Sequence, residues 1–382
     1  MKKYNIIEKY LLKDDLSTYD PYDIWKTDIG VRVKRLYFKN KYLGVFPAAA
    51  LTLYDLYLNN SFRIGYTKQE YPIVRAQICL SLLNFYKKEK NNIYLEHAKK
   101  HIKWLIKNSS KGYSGYCWGT GFRIVISDKL IYDETIPFST NTPYILECMY
   151  EYYKITKDSK ILDIIKSIYE FYENDLIVLK ESDNILIISY GPFKDRIVTN
   201  AVSYTMFAYS IFYKLLDNKE YIKNKIQKMA NFIFSVQNDD GSWLYSPYEK
   251  NSFIDCFHSV FILKNLIKTL QNVEINIKTA NIDKGYIYLK NNFFNIDYGL
   301  FKRFSISNKP SLTKFDLYDN AEFLYLAKLI KDKEMVVNLT DSIEKYFISN
   351  DEIYSVIDIF GLKKNKMTLR WAVSPYILAK SL

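Results

Sequence analysis

Apolar residues recur at helical spacing along nearly the whole chain. Between residues 42 and 59, Leu43, Phe46, Ala50, Leu51, Leu53, Tyr54 and Tyr57 fall three and four apart, which predicts a helix. The same spacing predicts a partner helix over 72–88. Five further pairs follow: 94–107 with 141–155, 160–172 with 200–216, 221–236 with 255–270, 277–291 with 318–330, and 335–348 with 370–380. The second helices of these five pairs begin at Asn141, Asn200, Asp255, Asp316 to Asp319 and Arg370. Their period of about 55 to 60 residues marks a repeat of helical hairpins.

The two members of a pair differ in pattern. Second helices such as the one opening Thr142-Pro143-Tyr144-Ile145-Leu146 are apolar nearly all round, as a helix packed on both sides must be, whereas 222–234 alternates Lys with Ile, Met and Phe. Six such hairpins close into an all-α (α/α)6 toroid with the second helices inside and the first ones outside. Glycine and proline are scarce and no tract is low in complexity, so the expectation is one domain over 1–382, with 1–40 as an extension packed on the ring.

In that ring all inner helices point the same way, and the loops before their N-termini gather at one mouth. Those loops hold the residues with chemical potential. Asp255, Asp316, Asp319 and Glu322 are carboxylates suited either to acid/base work or to capping helices and carrying first-turn charge. His258 lies one turn beyond Asp255 on the same helix face and reads as a general base or a structural histidine. Trp118, Trp243, Tyr245 and Trp371 offer flat rings for stacking on a sugar or for plugging the helix tops. Asn141, Asn200 and Arg370 are candidate polar contacts, Arg370 for a carboxylate or phosphate.

Composition narrows the partners. The net charge is +12, but the lysines are interspersed with Glu and Asp along helical faces, which speaks for a solvated surface, with a mildly basic site for an acidic ligand as the alternative, and against nucleic acid. The four cysteines form no CxxC, and His97 with His101 sits among lysines, so neither a metal nor a cofactor is expected. No apolar run is long enough for a transmembrane helix, and the first residues lack the continuous apolar core of a signal peptide. A cytoplasmic protein is expected; its oligomeric state is left open.

Several segments carry a resemblance: DPYD at 20–23, GYSGYCWG at 112–119, QNDDGSW at 237–243, IDCFHSVFILKNL at 254–266, LYDNAE at 317–322 and LRWA at 369–372. In these the chain resembles a family of helical-toroid proteins encoded among bacterial and archaeal polysaccharide and capsule biosynthesis genes. The resemblance implies the (α/α)6 fold and a role in making or modifying a surface glycan, without assigning a reaction. Similar proteins continue the CWG segment with a stretch of the kind FDW, whereas Phe122-Arg123-Ile124 stands here, which implies altered specificity or lost activity if the acidic position matters. QxxxGxW at 237–243 is also similar to the repeat motif of triterpene cyclases and prenyl-processing toroids, but no DxDD acid motif is present.

These readings converge on an enzyme acting on a sugar or oligosaccharide by hydrolysis, epimerisation or elimination, with Asp255, His258, Asp316 and Asp319 as acid/base candidates. Two alternatives stand beside it: a non-catalytic glycan-binding or assembly protein using the same mouth, and a terpenoid cyclase-like enzyme.

Overall fold

The computed structural model describes residues 4–194, 196–308 and 310–382. Three helices come first: α1 (Tyr4–Leu11), α2 (Asp28–Lys39) and α3 (Lys41–Leu53), the last continuing as a π-helical turn over Tyr54–Leu58. Helices α4 (Pro72–Glu89), α5 (Asn92–Lys107), α6 (Thr142–Thr156), α7 (Ser159–Asn174), α8 (Thr199–Leu215), α9 (Lys219–Ser235), α10 (Cys256–Asn272), α11 (Thr279–Phe293), α12 (Leu317–Leu329), α13 (Lys333–Phe347) and α14 (Ser374–Ser381) then build the ring.

The even-numbered helices from α4 to α14 form the inner circle, each packed on the next, and α14 returns to α4. That closure is pinned by Ser374 Oγ donating to Gln77 Oε1 at 2.7 Å and by Asn84 Nδ2 donating to Ser381 Oγ at 3.1 Å. Helix α8 is buried on nearly every side, as its apolar sequence requires, while α9 buries only Ile222, Ile226, Met229, Ala230, Phe232 and Ile233 against the ring. The all-α toroid and the helix starts at the mouth follow the hydrophobic pattern.

The first hairpin departs from the pattern. The periodic segment 42–59 is helical, but α3 packs along α2 rather than along α4, and within α3 only Gly44 is buried. A Cβ on Gly44 would come within 2.2 Å of the Tyr37 Cα, so the two helices cross this closely only because that position is glycine. The sixth outer position falls to α1. It leads into Asp14, which accepts from Lys100 Nζ at 2.9 Å on α5, and it lies on the face of α4.

The ring axis is filled rather than open. Lys264 Nζ of α10 meets Glu322 Oε2 of α12 at 2.5 Å, beside the Tyr144 and Tyr204 hydroxyls, which bond to each other at 2.6 Å. One turn deeper Lys268 Nζ pairs with Glu147 Oε2 at 2.5 Å. A cleft at the mouth lies above this plug.

Short strands fix the rim. Ile254–Asp255 pairs antiparallel with Phe304–Ile306, placing Asp255 opposite Phe304, and Thr313–Asp316 pairs with Glu352–Asp358, placing Asp316 opposite Val356. The strands 254–255 and 313–316 run straight into inner helices, so the last residue of each becomes the N-cap: Asp255 accepts from the His258 amide at 3.2 Å and Asp316 from the Tyr318 amide at 2.8 Å.

Candidate active site

A cleft of about 650 Å³ opens between the mouth loops and the α2–α3 hairpin. Its floor holds Asp255, Phe257, His258, Arg303, Asp316 and Trp371, and its roof holds Lys34, Tyr37, Ala48, Thr52 and Asp55.

On the floor His258 Nδ1 lies 2.8 Å from both carboxylate oxygens of Asp255. The Asp255 side chain is almost fully buried, whereas the His258 side chain keeps 20% exposure. Nδ1–H therefore donates to the carboxylate, and Nε2 is the ring nitrogen left for the cleft. Phe257 at 4.1 Å and Tyr245 at 4.6 Å between ring centroids hold the imidazole from two sides. The buried carboxylate fixes the tautomer and the orientation of the ring.

Beside this pair Arg303 gathers three partners. Nη1 donates to the Tyr22 hydroxyl at 3.0 Å, Nη2 lies 3.1 Å from Asp316 Oδ2, and Nε lies 3.4 Å from Asp319 Oδ2. Asp319 also accepts the Phe257 amide at 3.2 Å, and Asp316 accepts Trp371 Nε1 at 2.8 Å. Burial pushes both carboxyls above the usual range and Arg303 pulls them partway back; Asp319, which also feels Asp316 and Asp255, stays well above. Trp371 stacks flat on Tyr318 at 4.0 Å, completing an aromatic platform against the guanidinium.

A second ionic cluster borders the floor. Arg370 pairs with the buried Asp20, and Lys26 Nζ reaches Asp23 at 3.0 Å and the Tyr71 hydroxyl at 2.7 Å. Despite its burial, Asp20 is held below the usual carboxylate range by Arg370 and Lys26, while burial lowers the Lys26 ammonium. Arg123 stands on the cleft wall and joins Asp28 at the start of α2 at 3.0 Å.

Asp255, His258, Asp316, Arg370 and Trp371 thus come together around one cleft, with Tyr245 against the His258 ring. Asp319 does not reach the cleft: it is fully buried beneath Arg303 and the Phe257 amide, so its place is to hold those groups. Trp118 and Trp243 are corrected more sharply. Trp118 is fully buried and donates Nε1 to the Leu105 carbonyl at 2.8 Å; Trp243 is nearly so and donates to the Ile233 carbonyl at 2.9 Å. Each closes the C-terminal end of the preceding outer helix, α5 or α9, so the two tryptophans are equivalent hairpin bolts rather than sugar platforms. Asn141 and Asn200 flank the starts of α6 and α8 away from the cleft, and Asn200 is buried.

Sequence reasoning did not find Arg303 or Tyr22. Arg303 stands in a strand-rich connection with no motif, 13 and 16 positions from Asp316 and Asp319. Asp20 and Tyr22 lie in the DPYD segment, whose only signal was the resemblance. Among the described residues no group of three or more His, Cys, Asp or Glu side chains converges as a metal site.

The class defined by this architecture is the (α/α)6 toroid. No protein-family model matches the chain, and no curated protein matches it in sequence. Solved structures do match in fold. A sugar epimerase from a ruminal bacterium aligns with a TM-score of 0.61 at 14% identity over 83% of this chain and 88% of that one. Cellobiose 2-epimerase from Bacillus thermoamylovorans aligns with a TM-score of 0.62 at 15% identity over 82% and 86%. A GH76 α-mannanase from Bacteroides thetaiotaomicron aligns with a TM-score of 0.56 at 13% identity over 95% and 98%.

Proposed function

We propose that this protein is a carbohydrate-active enzyme that moves a proton on a sugar or oligosaccharide bound in the mouth cleft, in an epimerisation or an elimination, with His258 as the base and Asp255 as the group that orients it. The observation that carries the reading is the Asp255–His258 pair: a buried carboxylate on Nδ1 and a partly exposed ring that lines the cleft. Its support includes the fold shared with sugar-processing toroids, an argument by analogy alone.

Hydrolysis by two opposed carboxyls is less well supported. Each of the three carboxylates lining the cleft is already engaged: Asp55 by the Tyr66 hydroxyl, Asp255 by His258, Asp316 by Arg303 and Trp371. The lining also holds five cations, Lys26, Lys34, Arg123, Arg303 and Arg370; Lys26, Arg123, Arg303 and Arg370 already meet Asp23, Asp28, Asp316 and Asp20 in that order, and a sugar with an acidic group would compete for these cations. A carboxylate on the carbon that bears the reacting hydrogen would acidify that proton, and the enediolate left behind would be stabilised by the lining cations. A place in surface-polysaccharide biosynthesis or modification agrees with the sequence resemblance and belongs to the same proposal.

The test is a screen of uronate-containing oligosaccharides in deuterium oxide, followed by mass spectrometry and NMR for solvent deuterium at carbon or for an unsaturated product. His258→Gln and Asp255→Asn are each expected to lower turnover by roughly 10²–10⁴-fold while leaving ligand affinity and folding intact. Full activity in both variants would leave Asp255 as a helix cap only. A ligand that binds with no exchange, no elimination and no cleavage would favour the glycan-binding alternative, in which Trp371 would be the floor ring for stacking.

A further inference from the structure

The α2–α3 hairpin has two unlike faces. One roofs the cleft through Lys34, Tyr37, Ala48 and Thr52. The other presents large apolar side chains to solvent: Tyr42 is 86% exposed, Phe46 76%, Leu43 63%, Leu53 49%, Leu58 69% and, just beyond, Phe62 75%. Tyr42, Leu43, Phe46 and Leu53 follow helical spacing along one side of α3, so they form one continuous stripe rather than scattered exposures. Between Ile29 and Tyr54 the hairpin carries five cations, Arg32, Lys34, Arg35, Lys39 and Lys41, and no acidic residue.

We infer that this hairpin is a membrane-docking element that lies in the headgroup region of a bilayer containing anionic phospholipid, and that it thereby presents the cleft beneath it at the lipid surface. An apolar stripe bordered by lysine and arginine matches the two attractions of such an interface, burial of apolar side chains and charge. No helix among the described residues is long and apolar enough to cross a membrane, so the hairpin lies on the bilayer. A second copy of the chain is a poor occupant, because each hairpin would bring Arg32, Arg35, Lys39 and Lys41 to the contact with Asp28 as the one acid on α2 and α3. The inference goes beyond the proposed reaction and does not depend on it.

Co-sedimentation of the full chain with phosphatidylcholine vesicles, with and without about one-third phosphatidylglycerol, tests it. Binding is expected to the anionic vesicles only and to weaken as salt is raised. Leu43→Glu/Phe46→Glu, both on the exposed stripe, is expected to cut the bound fraction roughly tenfold or more with no change in thermal midpoint, and Lys39→Glu/Lys41→Glu to weaken binding too. A Phe46→Trp reporter is expected to shift its emission to the blue on the vesicles. No sedimentation with anionic vesicles overturns the inference, as does a concentration-dependent dimer in analytical ultracentrifugation that Leu43→Glu/Phe46→Glu abolishes while lipid binding is absent. Because no substrate enters the assay, its failure would leave the role of His258 untouched.

Discussion

Replacing Glu322 by Gln probes the plug beneath the cleft. Lys264 and Glu322 are 2% and 3% exposed and meet at 2.5 Å, with Tyr144, Phe261 and Tyr325 around the ammonium. Gln keeps the shape and one hydrogen bond but leaves a buried cation without its counter-charge. Breaking such a pair costs about 3–5 kcal/mol, because the desolvation of the remaining charge is no longer offset. A chain of 382 residues unfolds with an entropy near 0.8 kcal/mol per kelvin, so the thermal midpoint should fall by about 4–6 K. The double variant Lys264→Met/Glu322→Leu, which removes both charges, should recover most or all of that loss. Calorimetry on the parent, Lys264→Met, Glu322→Leu and the double variant closes the cycle and reports a coupling of several kcal/mol. A Glu322→Gln protein within about 1 kcal/mol of the parent would refute the reasoning, since it would mean that water reaches the pair and the ring axis is open.

Two further outcomes follow from other parts of the ring. His101 is fully buried, accepts from Arg75 Nη1 at 2.9 Å on Nδ1, and is pushed by burial and by that guanidinium from about 6.5 down to about 3. The unfolded chain therefore takes up a proton that the folded one refuses, so stability is fully present above pH 6.5 and falls by about 1.4 kcal/mol per unit as the pH drops towards 3; urea titrations of His101→Gln should show a shallower acid slope, and equal slopes would mean that the native imidazole is charged. Trp118→Phe and Trp243→Phe should each cost about 1 kcal/mol in denaturant unfolding through the lost indole hydrogen bond, with glycan affinity unchanged; a selective loss of affinity would return these rings to the binding surface.

Much of the ring was legible in the sequence. Inner helices such as α8 and α10 must be apolar on almost every side and outer ones such as α9 on one side only, and a repeat of that contrast every hairpin dictates a closed two-layer circle. Because the inner helices run in parallel, Asp255, His258, Asp316, Arg370 and Trp371 could be placed at one mouth before any coordinates. Both aspartates turned out to be N-caps that also line the cleft, so the capping and chemical readings are compatible at these positions.

What the tertiary structure alone decided is which side chain meets which. Arg303 has no local signal, since Tyr22 reaches it from the far N-terminal segment and Asp316 and Asp319 from the start of the next inner helix. Helical spacing says that one side of α3 is apolar but not what covers it, and here α2 takes one side and solvent the other. Tryptophan near a predicted mouth reads alike whether it faces a ligand or a backbone carbonyl, and only the positions of Leu105 and Ile233 distinguish the two. Periodicity along a chain encodes burial, a property of one residue and its helix, whereas a site is a property of pairs brought together by packing.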